Sequence, residues 1–310
     1  MQGDLAGRLG AIADASGLTG AATGIAARSS GGESVTFELR GTDDKEPVTP
    51  ASVMYGASLA KQVVGILLAS EVCAGTLDPD SRVHELLDLP RWAEDIRIRH
   101  LVHHTSGMPR LDPGVHGRTN QGVLEALRAM PAAEAPVGVQ SVYCNTGYVC
   151  LAEILVGSTG RSFEELATTS LFAPLGMTAT CFSTEPVVER QGHVQPPGTL
   201  GDGGLWTTAA DLLRWNDAMN ARALGAPVHE LSESPGSLDD GTPLDYAWGV
   251  RVLDRHGVRT LSHGGWWPTW TSKTVRQPQS GASVAVMSSS DDATAVTDVA
   301  LELLDVLAQA

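Results

Sequence analysis

The chain has 310 residues, 42% of them hydrophobic and 18% charged, with a formal charge of −15 at neutral pH and a pI near 4.9. That length gives one large domain or two interleaved ones with ample core, and the acidic balance argues against a nucleic-acid or anionic-membrane surface, which needs clustered Lys and Arg. No apolar run of about 18 residues is present, and Met1-Gln2-Gly3-Asp4-Leu5 lacks the basic-then-apolar pattern of an export leader, so no membrane span is expected and a cytoplasmic location is. Cys73, Cys144, Cys150 and Cys181 show no C-x-x-C spacing, and three of them fall in apolar helical runs, so reduced thiols are expected rather than disulfides or a metal site.

In chain order, helical spacing over residues 2–16 (Asp4, Leu5, Arg8, Leu9, Ile12, Ala13) predicts an amphipathic helix. Alternating, β-branched runs at 24–28 and 34–40, joined by Ser29-Ser30-Gly31-Gly32, predict a β-hairpin. A loop over 41–57 leads into a helix that opens at Ser58 and ends near Gly75. Helical pieces broken by Pro and Gly follow at 83–87, 98–104, 123–130, 143–156 and 162–172, with little strand signal until another helix at 209–219. Strand-like runs return at 247–253, 258–262, 269–275 and 283–288, and an amphipathic helix over 291–307 closes the chain. Strands at both ends with helices between them predict an α/β (α+β) fold: an antiparallel sheet formed from both termini, flanked by the N- and C-terminal helices, with an inserted all-helical subdomain. The sheet domain is drawn as 1–56 and 203–310 and the helical subdomain as 57–202, with a cleft at their junction.

Ser58-Leu59-Ala60-Lys61 opens an almost wholly apolar helix. Residues three apart share a helix face, so the Ser58 hydroxyl and Lys61 amine can meet, and a desolvated lysine can take a proton from a serine that is otherwise a poor nucleophile. S-x-x-K by itself arises by chance in many chains; its place at the head of a buried helix is what marks it here. Tyr143-Cys144-Asn145 stands at another helix entry, where a phenol and a carboxamide two apart can share a pocket; a plain cap and a packed ring are the structural alternative. His263-Gly264-Gly265-Trp266 reads as a strand end entering a turn, whose glycines would let a ligand approach amide N–H groups, or as a hairpin with a surface histidine.

Three neighbouring patterns fail their own requirements. Lys273-Thr274 starts like a K-T-G element but continues with Val275. His100, His103 and His104 lack the spacing and the intervening acid of a zinc helix and read as a structural loop. Gly56-Ala57-Ser58-Leu59-Ala60 lacks the second glycine of a nucleophile elbow.

Taken in order, Ser58-Leu59-Ala60-Lys61, Tyr143-Cys144-Asn145 and His263-Gly264-Gly265 resemble the S-x-x-K, Y-x-N and K-T-G or H-x-G elements of class C β-lactamase-like serine hydrolases. His103-His104-Thr105-Ser106-Gly107-Met108, Pro174-Leu175-Gly176-Met177 and Gly203-Gly204-Leu205-Trp206-Thr207-Thr208 resemble flanking stretches of that family, so the likeness runs from about residue 20 to the end. The resemblance implies an acyl-enzyme: Lys61 and Tyr143 deprotonate Ser58, the N–H groups of Ser58 and Trp266 hold the oxyanion, and Asn145 orients Lys61 and the substrate amide. No cofactor and no metal are implied.

His263 stands where penicillin-recognising members usually carry a lysine that meets the substrate carboxylate, which points to an esterase, amidase or transacylase. Trp206, Trp266, Trp267 and Trp270 are expected to wall an apolar substrate group. The expected partner is a small-molecule ester or amide, with a second acyl acceptor if the reaction is a transfer. A D-amino-acid-directed peptidase or weak β-lactamase is the enzyme alternative, and a non-catalytic scaffold keeping only the fold is the other.

Overall fold

A computed structural model describes residues 2–18, 22–32, 34–39, 48–111, 118–188 and 193–309. The N-terminal helix α1 (Gln2–Ala15) precedes strands β1 (Thr23–Arg28) and β2 (Ser34–Leu39), which pair antiparallel as the predicted hairpin. The predicted loop that follows lies mostly outside the described residues up to Val48. Short β3 (Met54–Tyr55) leads through a single 3-10 turn (Ala57–Leu59) into α2 (Ala60–Cys73). Helices α3 (Val83–Leu87), α4 (Ile98–Val102), α5 (Asn120–Ala129), α6 (Asn145–Thr159) and α7 (Phe163–Ala167), the last running into a π-helical turn at Thr168–Phe172, come next.

Strands β4 (Cys181–Phe182) and β5 (Leu205–Thr207) then flank a long loop and precede α8 (Ala209–Asn220) and α9 (Ala226–Ser232). Thr208 caps α8 by accepting the Asp211 N–H at 3.0 Å. The chain ends with β6 (Arg251–Arg255), β7 (Val258–Trp267), β8 (Trp270–Arg276), β9 (Ser283–Ser288) and α10 (Ala293–Ala308), whose N-terminus is capped by Asp292.

The six long strands form one antiparallel sheet in the order β2-β1-β9-β8-β7-β6, so both ends of the chain build it. Alternate residues of β1 and β9 serve different cores. Ile25, Ala27, Val284 and Val286 meet Val299, Leu303 and Leu307 of α10 on one face, while Ala26, Ala285 and Met287 join the larger core around α2 and α6 on the other. Burial on both faces explains why β9 reads as a continuous apolar run instead of an alternation.

Helix α2 is apolar nearly all round and is buried from Ala60 through Ala69, which makes it the axis of the larger core. Among the described residues no helix is long and apolar enough to cross a membrane.

Several sequence expectations shift. A second sheet in the order β3-β5-β4 was not predicted, because strands of two or three residues leave no periodicity to read. Helix α9 was likewise unforeseen. All four cysteines are free, but only Cys73 and Cys150 lie within helices; Cys144 caps α6 and Cys181 is on β4.

Candidate active site

Ser58 sits in the middle of the 3-10 turn, and α2 begins two residues later than predicted, at Ala60. The turn is held from three directions: Gly56 N–H donates to Leu205 O at 2.8 Å, Leu59 N–H donates to Gly56 O at 3.1 Å, and the Ser272 hydroxyl donates to Gly56 O at 2.8 Å. Ala57 has φ +47°, a left-handed conformation that is strained for a residue with a Cβ, by about 1–3 kcal/mol. The strained link turns the half-buried Ser58 side chain back toward α2. One turn on, Lys61 is 0% exposed, and its Nζ donates to Ser58 Oγ at 3.0 Å and to the main-chain oxygen of Asp202 at 2.8 Å. When the amine is neutral its lone pair can instead accept the Ser58 proton across the same distance.

Tyr143 lies in the extended segment before α6, outside the helix predicted to contain it; Cys144 is the N-cap and Asn145 the first helical residue. The Lys61 Nζ lies 4.9 Å from the Tyr143 ring centroid, so the two meet through the ring face. Among the described hydrogen bonds none joins the Tyr143 hydroxyl to Ser58 or Lys61. Tyr143 remains 40% exposed and Asn145 is exposed.

The Tyr143 segment is fastened to the turn at 103–106. Cys144 N–H donates to His104 Nδ1 at 3.1 Å, Val142 N–H to His104 O at 2.9 Å, and Gly138 N–H to Thr105 O at 2.8 Å, while the His104 ring lies 4.4 Å from that of Tyr143. Burial, reinforced by the charge of Lys61, pushes His104 well below the ordinary histidine value. The stretch read as a structural loop is thus the mount for Tyr143. His100 Nδ1 accepts the Arg97 N–H and His103 Nδ1 bonds Tyr246 O, so these rings are tied to the protein's own main chain.

The His263 region corrects a prediction. It is the interior of β7, which runs on to Trp267, and the turn falls at Pro268 and Thr269. The glycine pair imitated a turn signal. A Cβ on Gly265 would stand 2.2 Å from Gly56 O and 2.4 Å from Ser272 Oγ, so glycine there admits the Ser58 turn against the strand. This close approach brings the Ser58 and Trp266 main chains onto neighbouring segments.

The His263 side chain is 6% exposed; Nδ1 lies 2.7 Å from Gly264 O and Nε2 lies 2.9 Å from the Tyr246 hydroxyl. A carbonyl oxygen can only accept, so Nδ1 carries the proton and Nε2 accepts from Tyr246. Burial, with the charge of Lys61 second, lowers His263 to about 3, and the ring is neutral at ordinary pH.

Lys273 pairs with Gly264, so strand alternation puts it on the face opposite His263. Its depression to about 8 comes first from burial.

The tryptophans divide. Trp206 and Trp270 are buried and meet edge-on with ring centroids 5.9 Å apart, and Trp267 pairs with Trp270 across the β7–β8 hairpin. Trp206 and Trp270 also line a pocket with Val188, His193 and Pro196. Trp266 is 52% exposed and donates from Nε1 to Asp291 O, on the other face of the strand, so only its main chain faces the Ser58 turn. Two residues at the site carried no usable sequence signal: Tyr246, which bonds His263, and Asp202, whose carbonyl receives Lys61.

The site thus brings together a buried lysine bonded to a serine at the head of a central helix, a tyrosine over the amine and a sheet strand alongside. The chain belongs to the Beta-lactamase family, whose profile matches residues 10–308. It is 28% identical over 274 residues to penicillin-binding protein 4* of Bacillus subtilis (strain 168), covering 75% of this chain and 60% of that one. It is 27% identical over 270 residues to a D-aminopeptidase of Gluconobacter oxydans (strain 621H), covering 78% of this chain and 50% of that one. The chain therefore spans half to three-fifths of these relatives' length. Among solved structures, D-amino acid amidase from Ochrobactrum anthropi SV3, complexed with L-phenylalanine amide, superposes with a TM-score of 0.81 at 21% identity, covering 99% of this chain and 98% of that one.

Proposed function

We propose that this protein is a serine hydrolase that cleaves a small amide or ester through an acyl-enzyme on Ser58. The observation that carries the reading is the 3.0 Å contact between Ser58 Oγ and the Nζ of a lysine wholly removed from solvent. Neutral Lys61, in concert with Tyr143, takes the Ser58 proton as Oγ attacks the substrate carbonyl carbon. The N–H groups of Ser58 and Trp266 receive the developing oxyanion. Tyr143 returns the proton to the leaving amine or alcohol as its bond to carbon breaks, and water then repeats the sequence to release the acid. Transfer to an amine or alcohol in place of water uses the same groups. Asn145 steers the substrate amide.

The substrate class follows from His263. A neutral ring already bonded to Tyr246 and Gly264 O offers no cation to a carboxylate, so an uncharged leaving group is favoured over the carboxylate-bearing end of a penicillin or cell-wall peptide. The names of the D-aminopeptidase and D-amino acid amidase relatives support amides of D-amino acids as the first substrates to try, and the Trp206–Trp270 pocket suits an apolar side chain on the acyl part.

The test is intact-mass measurement with a fluorophosphonate, a p-nitrophenyl ester and a penicillin, alongside hydrolysis of D- and L-phenylalanine amide, on wild type and Ser58→Ala. Adducts with the first two reagents, confined to wild type, are expected, with the D-amide cleaved faster. An adduct that survives in Ser58→Ala removes the nucleophile; rapid penicillin acylation moves the reading to the lactamase alternative.

A further inference from the structure

Most described groups that face Lys61 are neutral. Tyr143 and Tyr148 turn ring faces to Nζ at 4.9 and 5.5 Å, and Ser58 Oγ bonds it. His104 and His263 are held in their neutral forms by burial and by the charge of Lys61 itself. Tyr55, on β3, is buried, and its hydroxyl accepts the Gly204 N–H at 3.1 Å. Helix α9 packs against α2 but its acids are engaged elsewhere: Glu230 pairs with Arg222 at 3.5 Å, and Glu233, just past the helix end, binds Arg276 at 2.6 Å. Of the groups named, Asp202 alone puts a carboxylate near Lys61.

Asp202 is itself 6% exposed; Thr199 and the Gly203 N–H lie close enough to favour its ionised carboxyl, yet its Oδ1 is buried with no hydrogen-bond partner. A carboxylate oxygen without a donor is costly in such a place unless a nearby charge compensates it. The loop around it has little freedom. Gly201 and Gly204 adopt φ +98° and +78°, and a Cβ on Gly203 would fall 2.4 Å from the Tyr55 hydroxyl oxygen. Burial pushes the Asp202 carboxyl up and Lys61 is the largest influence pulling it back. The same residue therefore meets Lys61 twice, by a 2.8 Å bond to its carbonyl and by a carboxylate beyond ion-pair contact.

We propose that Asp202 is a positioning residue for Lys61: its main-chain oxygen aims the amine at Ser58, and its carboxylate is the counter-charge that favours the protonated amine. The inference rests on the reading of Ser58 and Lys61 as nucleophile and base. A protonated amine cannot accept the Ser58 proton, so the carboxylate raises the pH at which Ser58 becomes reactive. Removing the charge releases the proton more readily and shifts reactivity to lower pH.

The experiment follows the rate of fluorophosphonate acylation against pH by intact mass, on wild type, Asp202→Asn, Asp202→Ala and Ser58→Ala. Asparagine keeps the shape and the carbonyl; alanine serves as a second charge removal should the amide fail to pack. The rising limb of the profile is expected to move down by about one pH unit in either variant, the scale of one charge acting through a partly shielded interior. A limb that stays in place or moves upward, with Ser58→Ala unlabelled, overturns the role of Asp202 and leaves the nucleophile standing. Labelling of Ser58→Ala instead overturns the nucleophile and this inference with it.

Discussion

The two halves of the proposed catalytic site are built differently. Ser58 and Lys61 are three residues apart on one continuous segment, are joined by a 3.0 Å bond and descend into the core, with Lys61 wholly buried. Tyr143 comes from the extended segment before α6 and Asn145 opens that helix; both stay exposed, and Tyr143 meets Lys61 through its ring face at 4.9 Å instead of a hydrogen bond. The pair is set by a short turn at the head of α2, braced by Leu205, Ser272 and the close approach of Gly265, whereas the tyrosine depends on a chain of loop contacts through His104 and Thr105. In the mechanism proposed above, this contrast assigns the fixed part to Ser58 and the adjustable part to Tyr143.

That contrast can be broken in order of effect. Ser58→Ala should reduce ester turnover by about ten-thousandfold or more, since residues acting with it cannot replace the nucleophile; steady-state kinetics with residual activity above that level would reject covalent catalysis. Lys61→Ala and Tyr143→Phe should each reduce turnover by about a hundredfold or more, the usual scale for a general acid or base. Equal, unchanged rates in Tyr143→Phe would make the ring, not the hydroxyl, the feature that matters.

Gly265→Ala should destabilise by about 1–3 kcal/mol, because its Cβ would enter the Gly56 oxygen, while Gly264→Ala, whose Cβ would stand 3.6 Å from its nearest neighbour, should be close to neutral. Urea unfolding of the two variants compares them directly. A mild Gly265→Ala would mean the Ser58 corner is looser than drawn.

Acid should weaken the fold through the same histidines. The folded state holds His263 at about 3 and His100 at about 4, with His104 also well below its ordinary value, while the unfolded chain protonates all three near pH 6.5. Below that pH the unfolded state binds more protons, so stability is intact above about pH 6.5 and is lost as pH falls, by up to about 1.4 kcal/mol per unit for each histidine. Urea midpoints at pH 5 and 7.5 should differ in that sense, and His104→Gln should flatten the difference. The smallest change expected is for Ala57→Gly, which relieves φ +47° but frees the unfolded chain, for a gain of at most about 1 kcal/mol. A loss would show that the methyl group packed against Gly265 outweighs the strain.

What the amino-acid pattern revealed follows how local each cause is. The hairpin at β1 and β2, the sheet drawn from both ends and the Ser58–Lys61 pair rest on short-range periodicity, and the structure has them as expected. The His263 segment was misread because glycines signal turns when seen alone, and only the distant Gly56 carbonyl reveals why Gly265 is needed in a strand. Tyr246 and Asp202 were invisible for a related reason: each acts on a residue far away in sequence, His263 or Lys61, through contacts that no spacing rule encodes. Trp266 was assigned to an aromatic wall, but strand alternation directs its ring to the other face.

The pairing of β1 with β9 joins residues 23–28 to residues 283–288. Closing so wide a separation is slow, since the entropy of bringing distant segments together is lost before their contacts form. During synthesis the first hairpin must wait, one flank unpaired, until the last strand has left the ribosome. Expression of chains truncated before residue 283 should therefore yield aggregates through that open edge, and assistance by a chaperone would act most usefully on the N-terminal hairpin.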